Sequence, residues 1–295
     1  MDAWRADPGD HSVVAVLWPL ILGLDLPGSI RQARFTKFDL PSLACNESSA
    51  DGRAFCMRGA AIAVAPPEEF RYHARQSETR EDFMPDTKRT IWGRANSVNV
   101  QKVLWCLAEL DLPYERIDAG MSFGRTREAD YLAMNPNARI PTLVEGDFVL
   151  WESNSIMRYL CLAHGRGTPI YPEAAKLRTS VDRWLDWTLS MVQPVDRPVF
   201  WGIVRTAPAE RDMIQVQRDA DAAAEVWAIA DRLLSTRRFI DGDQFTLADI
   251  AIGAYARRWL GVEGITRPAQ PHLTRWLAEL GKRPGFAQFV APPMS

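Results

Sequence analysis

The sequence predicts an α+β unit that is followed by an all-helical unit, with a long amino-terminal extension before both. Strand-like and helix-like segments alternate between residues 88 and 168, whereas every segment between residues 174 and 290 has a helical pattern. Residues 1–87 show no sustained periodicity. The Gly- and Pro-rich stretch HGRGTPIYPEA, which starts at His164, links the two units.

The extension contains scattered Pro, Gly and Ser and closes with the charged run PPEEFRYHARQSETREDF. We expect residues 1–87 to be poorly ordered. Their apolar run SVVAVLWPLILGL is too short to span a membrane, and it follows an acidic segment where a signal peptide would be basic. Because Met84 closely precedes the first strand, two explanations stay open: a start placed too early, with the native protein beginning near Met84, or a genuine tether or partner-binding arm.

The α+β unit begins with RTIWG, a short strand that ends at Gly93. The polar loop RANSVN then leads into the helix VQKVLWCLAELDL, whose Val and Leu residues recur at helical spacing. PYERIDAG predicts a second strand, and TREADYLAMNP a second helix. Residues 142–144 and 148–151 predict a hairpin around Gly146, and ESNSIMRYLCLA a helix after it.

The all-helical unit has apolar residues at spacings of three and four throughout. Leu, Trp and Ala dominate the inward faces. In FTLAD, Thr246 and Asp249 form a capping box, which we interpret as a folding feature. The predicted helical segments are KLRTSVDRWLDWTLSMVQP, AERDMIQVQRDADAAAEVWAIADRLLSTR, FTLADIAIGAYARRWLGV and PHLTRWLAELGKRP.

The composition is that of an ordinary soluble protein, with 47% hydrophobic and 24% charged residues. A net charge of −2 provides no global positive field, so we expect neither nucleic acid nor a membrane as partner. The four cysteines form no C-x-x-C motif and no Cys/His cluster, which argues against a metal site or a disulfide framework. We therefore expect a cytoplasmic protein without a bound metal.

Two features of the hairpin region are not explained by the hairpin itself. Pro141 stands at the mouth of the first strand, where it cannot donate to the ladder. An Ile140–Pro141 bond held cis would leave the backbone of Ile140 free to pair with a peptide-like ligand, whereas an edge-strand proline in trans is the alternative.

Glu152 and Ser153 begin a helix, where exposed N–H groups and the macrodipole attract a carboxylate. Glu152 can hold an ammonium group beside it, and the alternative is plain helix capping.

Together these segments resemble the glutathione S-transferase superfamily, in its bacterial, serine- or asparagine-dependent, theta- or nu-like form. The order of strand, Ser97 loop, helix, strand, helix, NPNARIPTL and WESNSI is similar to its amino-terminal thioredoxin-like domain. The helical unit with FTLADIAIG is similar to its carboxy-terminal all-α domain. The resemblance covers residues 88 to about 290. It implies a thioredoxin-like domain at 88–168 and a helical-bundle domain at 174–290.

By this resemblance, the chain uses glutathione as a co-substrate and holds no permanent cofactor. Ile140 would pair with the cysteinyl part of glutathione beside cis-Pro141, while Glu152 and Ser153 would hold the γ-glutamyl end. Arg139 stands where the family often has a cation near the glycyl carboxylate, and an ordinary solvated arginine is the alternative.

The residue that activates the thiol is expected in the loop RANSVNV. Thiols have a pKa of about 8.5, so a hydroxyl or amide donor is needed to stabilise the reactive thiolate at neutral pH. Ser97 matches the serine position of the serine-dependent classes, and Asn99 matches an asparagine of some bacterial relatives. We favour Ser97, with Asn99 as a second donor, and keep Ser97 as a mere helix cap as the alternative. No cysteine or tyrosine stands in the loop, which disfavours the cysteine- and tyrosine-dependent chemistries.

The second substrate is expected at the start of the helical unit. The resemblance places its pocket near Trp187, Met191 and Trp201, although aromatic and Met residues at helical spacing are more often core. The predicted function is conjugation of glutathione to a small, apolar electrophile by a homodimeric detoxification enzyme. Two alternatives remain: glutathione-dependent peroxide or disulfide reduction, and a non-catalytic binding or regulatory protein.

Overall fold

The computed structural model of the chain describes residues 88–294. Our expectation of a poorly ordered extension therefore concerns residues outside the described part. Within it, a four-stranded mixed sheet with helices is followed by a helical region, as the predicted fold class requires. The predicted domain boundaries, 88–168 and 174–290, stay a prediction.

The sheet has the order β2-β1-β3-β4, with a parallel β1–β2 pair and antiparallel β1–β3 and β3–β4 pairs. Glu145 pairs with Phe148, so the hairpin turn consists of Gly146 and Asp147 alone. Gly146 has a φ of 62°, a conformation that glycine adopts without steric cost. The strands are β1 (Arg89–Trp92), β2 (Glu115–Ile117), β3 (Thr142–Glu145) and β4 (Phe148–Trp151).

The helices of the first half pack on this sheet and carry the loops of the site. Helix α1 begins at Val98, two residues before the predicted start, and Ser97 occupies the N-cap position without a capping hydrogen bond from its side chain. Its apolar face is buried, and Cys106 is part of the hydrophobic core. These helices are α1 (Val98–Glu109), α2 (Ala129–Met134) and α3 (Ser153–His164).

The second half begins with one long helical run that the sequence did not predict in full. Prolines lack the N–H of the i→i−4 ladder, so the pattern predicts an end near Pro194. The chain instead stays helical through Pro194 and Pro198, with π-helical turns on both sides of the prolines, as π turns relieve local breaks in the ladder. The run comprises α4 (Ala175–Trp187), a π segment (Thr188–Val192), α5 (Gln193–Phe200) and a second π segment (Trp201–Arg205).

The remaining helices of the described part of the chain pack on a hydrophobic core that they share with the first half. Thr246 caps α7 in the predicted capping box with Asp249, which is thereby confirmed. Helix α9 was not predicted as a separate element. These helices are α6 (Met213–Leu234), α7 (Leu247–Gly261), α8 (Pro271–Leu280) and α9 (Pro284–Phe289). No helix among residues 88–294 is both long and apolar enough to cross a bilayer.

Trp105 of α1 joins the two halves. Its ring lies 5.1 Å from that of Phe286 in an edge-on contact and 5.8 Å from that of Phe245. A Cβ atom on Gly285 would lie 2.6 Å from the Trp105 ring, so only glycine allows α9 to approach this closely. The α1 helix is consequently held between the sheet and the helical half, which brings its amino-terminal loop to their boundary.

Candidate active site

A cleft of about 570 Å³ lies at this boundary and is lined by residues of both halves. The loop before α1, the loop before β3 and the start of α3 form one side. The α4–α5 run and α7 form the other. Of the sequence-predicted site residues, the cleft brings together Ser97, Asn99, Arg139, Ile140, Pro141, Glu152, Ser153 and Trp201.

The Ile140–Pro141 bond is cis, which confirms the less common of the two conformations considered. Ile140 lies outside the paired residues of β3, which begin at Thr142. The carbonyl of Arg139 accepts hydrogen bonds from the Tyr131 hydroxyl at 2.5 Å and from Nδ2 of Asn135 at 2.9 Å. Asn135 and Tyr131 therefore hold this turn in place, a role that was not predicted from the sequence. The Arg139 side chain itself is exposed at the rim of the cleft.

The amino terminus of α3 presents uncapped N–H groups to the cleft. Glu152 is its N-cap, but no side chain caps the helix, so a plain capping arrangement is not what the structure contains. The first intrahelical bond runs from Ile156 N to Glu152 O, which leaves the preceding amides without a helical partner. Glu152 has a φ of 70°, a strained conformation for a residue with a Cβ atom. Ser153 is buried beside it.

The two candidate thiol donors differ in their surroundings. Ser97 is buried and has extended backbone geometry, but its hydroxyl makes no capping hydrogen bond, in contrast to the helix-cap alternative. Asn99 accepts a hydrogen bond at Oδ1 from the hydroxyl of Tyr255, over 3.2 Å. Its amide nitrogen is then the end of the side chain that can donate. Both residues line the cleft.

On the helical side, the cleft residues of the α4–α5 run recur at helical spacing: Leu189, Gln193, Asp196, Arg197, Phe200, Trp201 and Arg205. Positions four apart share one helix face. Trp187 and Met191 are two positions out of this phase and do not line the cleft. Trp187 packs edge-on against Trp184 at 5.5 Å, while Met191 is 42% exposed. Of the three residues predicted for the second-substrate pocket, the structure brings only Trp201 to the cleft.

The helical side also carries charges that were not predicted. Asp196 is buried, and burial raises the pKa of its carboxyl to about 7. Its nearest cation is Arg258 of α7, with Nη1 3.7 Å from Oδ2. Burial lowers the pKa of the Arg258 guanidinium, and so, to a lesser extent, does the nearby Arg205. The α7 sequence also contains Asp249 and Arg257, so the sequence pattern alone does not single out Tyr255 and Arg258 as cleft residues.

A buried lysine lies beneath the site. Nζ of Lys102 donates to Oδ1 of Asn154 at 2.9 Å and lies 5.5 Å from the centre of the Tyr255 ring. Asn154 in turn donates to the carbonyl of Leu185 at 2.8 Å. Burial lowers the pKa of Lys102 to about 7, against the opposing attraction of Glu152. This chain of contacts links α1, α3 and α4 directly behind the residues of the cleft.

No group of three or more His, Cys, Asp or Glu side chains among residues 88–294 has the arrangement of a metal site.

Comparison with known proteins gives one consistent result. Residues 88–161 match the family model for the glutathione S-transferase N-terminal domain, and residues 214–279 match that for the C-terminal domain. The chain is 39% identical over 208 residues to glutathione S-transferase GstB of Escherichia coli strain K12, covering 70% of this chain and 99% of that protein. It is 32% identical over 211 residues to glutathione S-transferase 3 of Zea mays, covering 68% and 92%.

Solved structures give the same result. The theta class glutathione S-transferase of Xanthomonas axonopodis pv. citri, determined with glutathione bound, superposes with a TM-score of 0.68 at 40% identity. The superposition covers 71% of this chain and 100% of that one.

Proposed function

The chain belongs to the glutathione S-transferase family, and we propose that its cleft binds glutathione, stabilises the thiolate and adds it to a small electrophile. The observation that carries the proposal is the presence, in one cleft, of the turn at cis-Pro141, the uncapped amino terminus of α3 and the unengaged hydroxyl of Ser97. A tripeptide thiol with a charged γ-glutamyl end has complementary groups for all three.

The amino terminus of α3 is suited to the γ-glutamyl group. Unpaired amides and the positive end of the helix dipole attract its α-carboxylate, and the Ser153 hydroxyl can donate to the same group. The carboxylate of Glu152 can accept from the adjacent ammonium group. Ile140 would pair with the cysteinyl backbone, and Arg139 would face the glycyl carboxylate from the rim.

Thiol activation is assigned to Ser97, with Asn99 as the second donor. A hydrogen bond to sulfur favours the thiolate over the thiol and fixes the sulfur beside the amino terminus of α1. The thiol proton passes to water. The thiolate then attacks the electrophilic carbon, a C–S bond forms, and a leaving group departs with the electron pair of the bond that breaks. Catalysis consists of thiolate stabilisation and proximity.

We also propose a cytoplasmic homodimer with a detoxification role, and domains at 88–168 and 174–290. Support for the dimer comes from β4, one of the two edge strands of the sheet within the described residues, where Phe148, Val149 and Trp151 are exposed. Exposed apolar side chains at a sheet edge favour pairing with another surface.

The test measures the ultraviolet absorbance of bound thiolate as a function of pH, together with conjugation rates. In the wild type, the pKa of the bound thiol should lie at least about 1 unit below the free value of about 8.5. Ser97→Ala should raise this pKa more than Asn99→Ala does. Parallel assays with an organic hydroperoxide distinguish conjugation from peroxide reduction. Failure of the wild type to bind glutathione in titration calorimetry would overturn the proposal.

A further inference from the structure

We propose that the second-substrate side of the cleft recognises an electrophile bearing a carboxylate, held by arginine side chains next to an aromatic wall. This inference rests on the proposed glutathione transferase function of the same cleft. It also refines the expectation of an apolar electrophile, because an apolar body with a negative group fits the side chains better than a neutral molecule does.

The charges of the cleft are unbalanced on this side. Arg139, Glu152 and Ser153 account for the two carboxylates and the ammonium group of glutathione. Four further arginines line the cleft: Arg94, Arg197, Arg205 and Arg258. They face one carboxylate, that of Asp196. Taken with Arg139 and Glu152, the five arginines and two carboxylates that line the cleft carry a net charge of +3, and glutathione bound as the thiolate carries −2. One positive charge is therefore in excess when a second substrate enters.

Protein partners do not satisfy these arginines. Among residues 88–294, Arg94, Arg197 and Arg205 form no ion pair with a carboxylate. Nε of Arg94 is buried without a hydrogen-bond partner. Arg258 reaches Asp196 only at 3.7 Å, well beyond the roughly 2.7–2.9 Å of a charge-assisted hydrogen bond. Guanidinium donors thus remain available for a ligand.

The arginines are also close enough to repel one another. Arg205 and Arg258 both lower the pKa of Arg94, in addition to the larger effect of its partial burial. Like charges held together at a partly buried site are unfavourable unless an anion compensates them. A carboxylate that entered between them would relieve this repulsion and accept paired hydrogen bonds from the planar guanidinium groups.

The aromatic rings on this side of the cleft indicate what kind of molecule would carry the carboxylate. The guanidinium of Arg258 lies 3.8 Å and that of Arg205 5.7 Å from the centre of the Phe200 ring. Arg197 lies 5.5 Å from the ring centre of Trp201. Charged groups and flat apolar surfaces therefore alternate along this wall. An aromatic or other planar electrophile with a carboxylate substituent matches both.

The experiment uses two glutathione conjugates that occupy both parts of the cleft and require no turnover. S-(carboxy-nitrophenyl)glutathione and S-(carbamoyl-nitrophenyl)glutathione have the same substitution pattern and similar size, but only the first carries the extra negative charge. Titration calorimetry with the full chain should give an affinity about tenfold higher for the carboxy conjugate, with a difference that decreases as salt increases.

The matched variants are Arg205→Met, within the cleft, and Arg218→Met, on the exposed surface of α6. Arg205→Met should reduce the carboxy-to-carbamoyl affinity ratio several-fold, and Arg205→Lys should restore part of it. Arg218→Met removes the same charge and should leave the ratio at the wild-type value. Equal affinities of the two conjugates for the wild type would overturn this inference and leave glutathione binding intact. Failure of glutathione and both conjugates to bind would overturn the proposed function itself.

Discussion

The hydroxyl of Tyr255 donates a hydrogen bond to Oδ1 of Asn99 over a separation of 156 residues in the sequence. The bond links helix α7 to the first turn of α1, which carries one of the two candidate thiol donors. It also orients the Asn99 amide, because an oxygen that accepts from Tyr255 leaves the nitrogen as the donating end.

Replacement of Tyr255 with Phe should release this amide. We expect a loss of about 1 kcal/mol in the free energy of unfolding, as for one net hydrogen bond. Conjugation measured as kcat/KM should fall about three- to tenfold, because the amide then samples orientations that do not face the sulfur. A double-mutant cycle with Asn99→Ala checks the mechanism, and we expect a coupling of at least about 0.5 kcal/mol. Strictly additive effects would show that the two residues act independently.

The γ-glutamyl assignment predicts a substrate-dependent effect of Glu152→Gln. This change removes the negative charge that would pair with the ammonium group, so the KM for glutathione should rise about tenfold. Glutaryl-cysteinyl-glycine, which lacks that ammonium group, is the matched ligand. Its KM should change little between the wild type and the variant. An equal increase for both thiols would mean that Glu152 supports the loop and does not contact the amine.

The residues proposed to bind glutathione could be identified from the sequence because their determinants are local. Pro141 and the pair Glu152-Ser153 lie on either side of one hairpin, so their chemistry could be interpreted without knowledge of packing. Asn135, in the same stretch, was missed as a positioning residue because its role depends on a hydrogen bond to the backbone carbonyl of Arg139, which forms only in the folded turn.

The other side of the cleft could not be predicted in this way. Which residues of the α4–α5 run face the cleft depends on helical phase, and the π turns beside Pro194 and Pro198 change that phase. Trp187 and Met191 have suitable chemistry but the wrong phase. Arg258 reaches the cleft only because α7 packs against both halves, a tertiary contact that leaves no local pattern.

The buried carboxylate of Asp249 lies away from the cleft, and we expect it to contribute to stability. It accepts hydrogen bonds from the N–H groups of Ile240 and Thr246 and from Nε1 of Trp276, each at 2.9 Å. Asp249→Asn would place an amide N–H₂ against these donors, so we expect a loss of at least about 2 kcal/mol in urea unfolding.

The matched control for this prediction is Asp212→Asn. Asp212 is the exposed N-cap of α6 and accepts from the amides of Ile214 and Gln215. Asn caps helices about as well as Asp, so this variant should lose less than about 0.5 kcal/mol. Similar losses in the two variants would contradict the role of Asp249 as a buried acceptor for several donors.

Because Lys102 is buried, we expect the free energy of unfolding to rise with pH. Its pKa is lowered from 10.5 in the unfolded reference to about 7 in the folded chain. Between these two values the unfolded state holds one more proton than the folded state. Raising the pH across this window therefore favours folding, by at most about 1.4 kcal/mol per pH unit. Below about pH 7 both states are protonated, and the full cost of burying the charge remains.

Lys102→Met should remove this contribution. Other groups titrate in the same range, so the informative quantity is the difference in unfolding free energy between the wild type and the variant, measured by urea at pH 7.5 and 9.5. Over this interval the free energy of unfolding of the wild type should increase by about 1 to 2.5 kcal/mol more than that of the variant. Lys176→Met, which removes a positive charge from the exposed surface of α4, measures how much of the change follows from net charge alone. Of these two lysines, only Lys102 is enclosed between α1, α3 and the Tyr255 ring. If the unfolding free energies of Lys102→Met and Lys176→Met change equally with pH, burial of the Lys102 ammonium group does not control the pH dependence of stability.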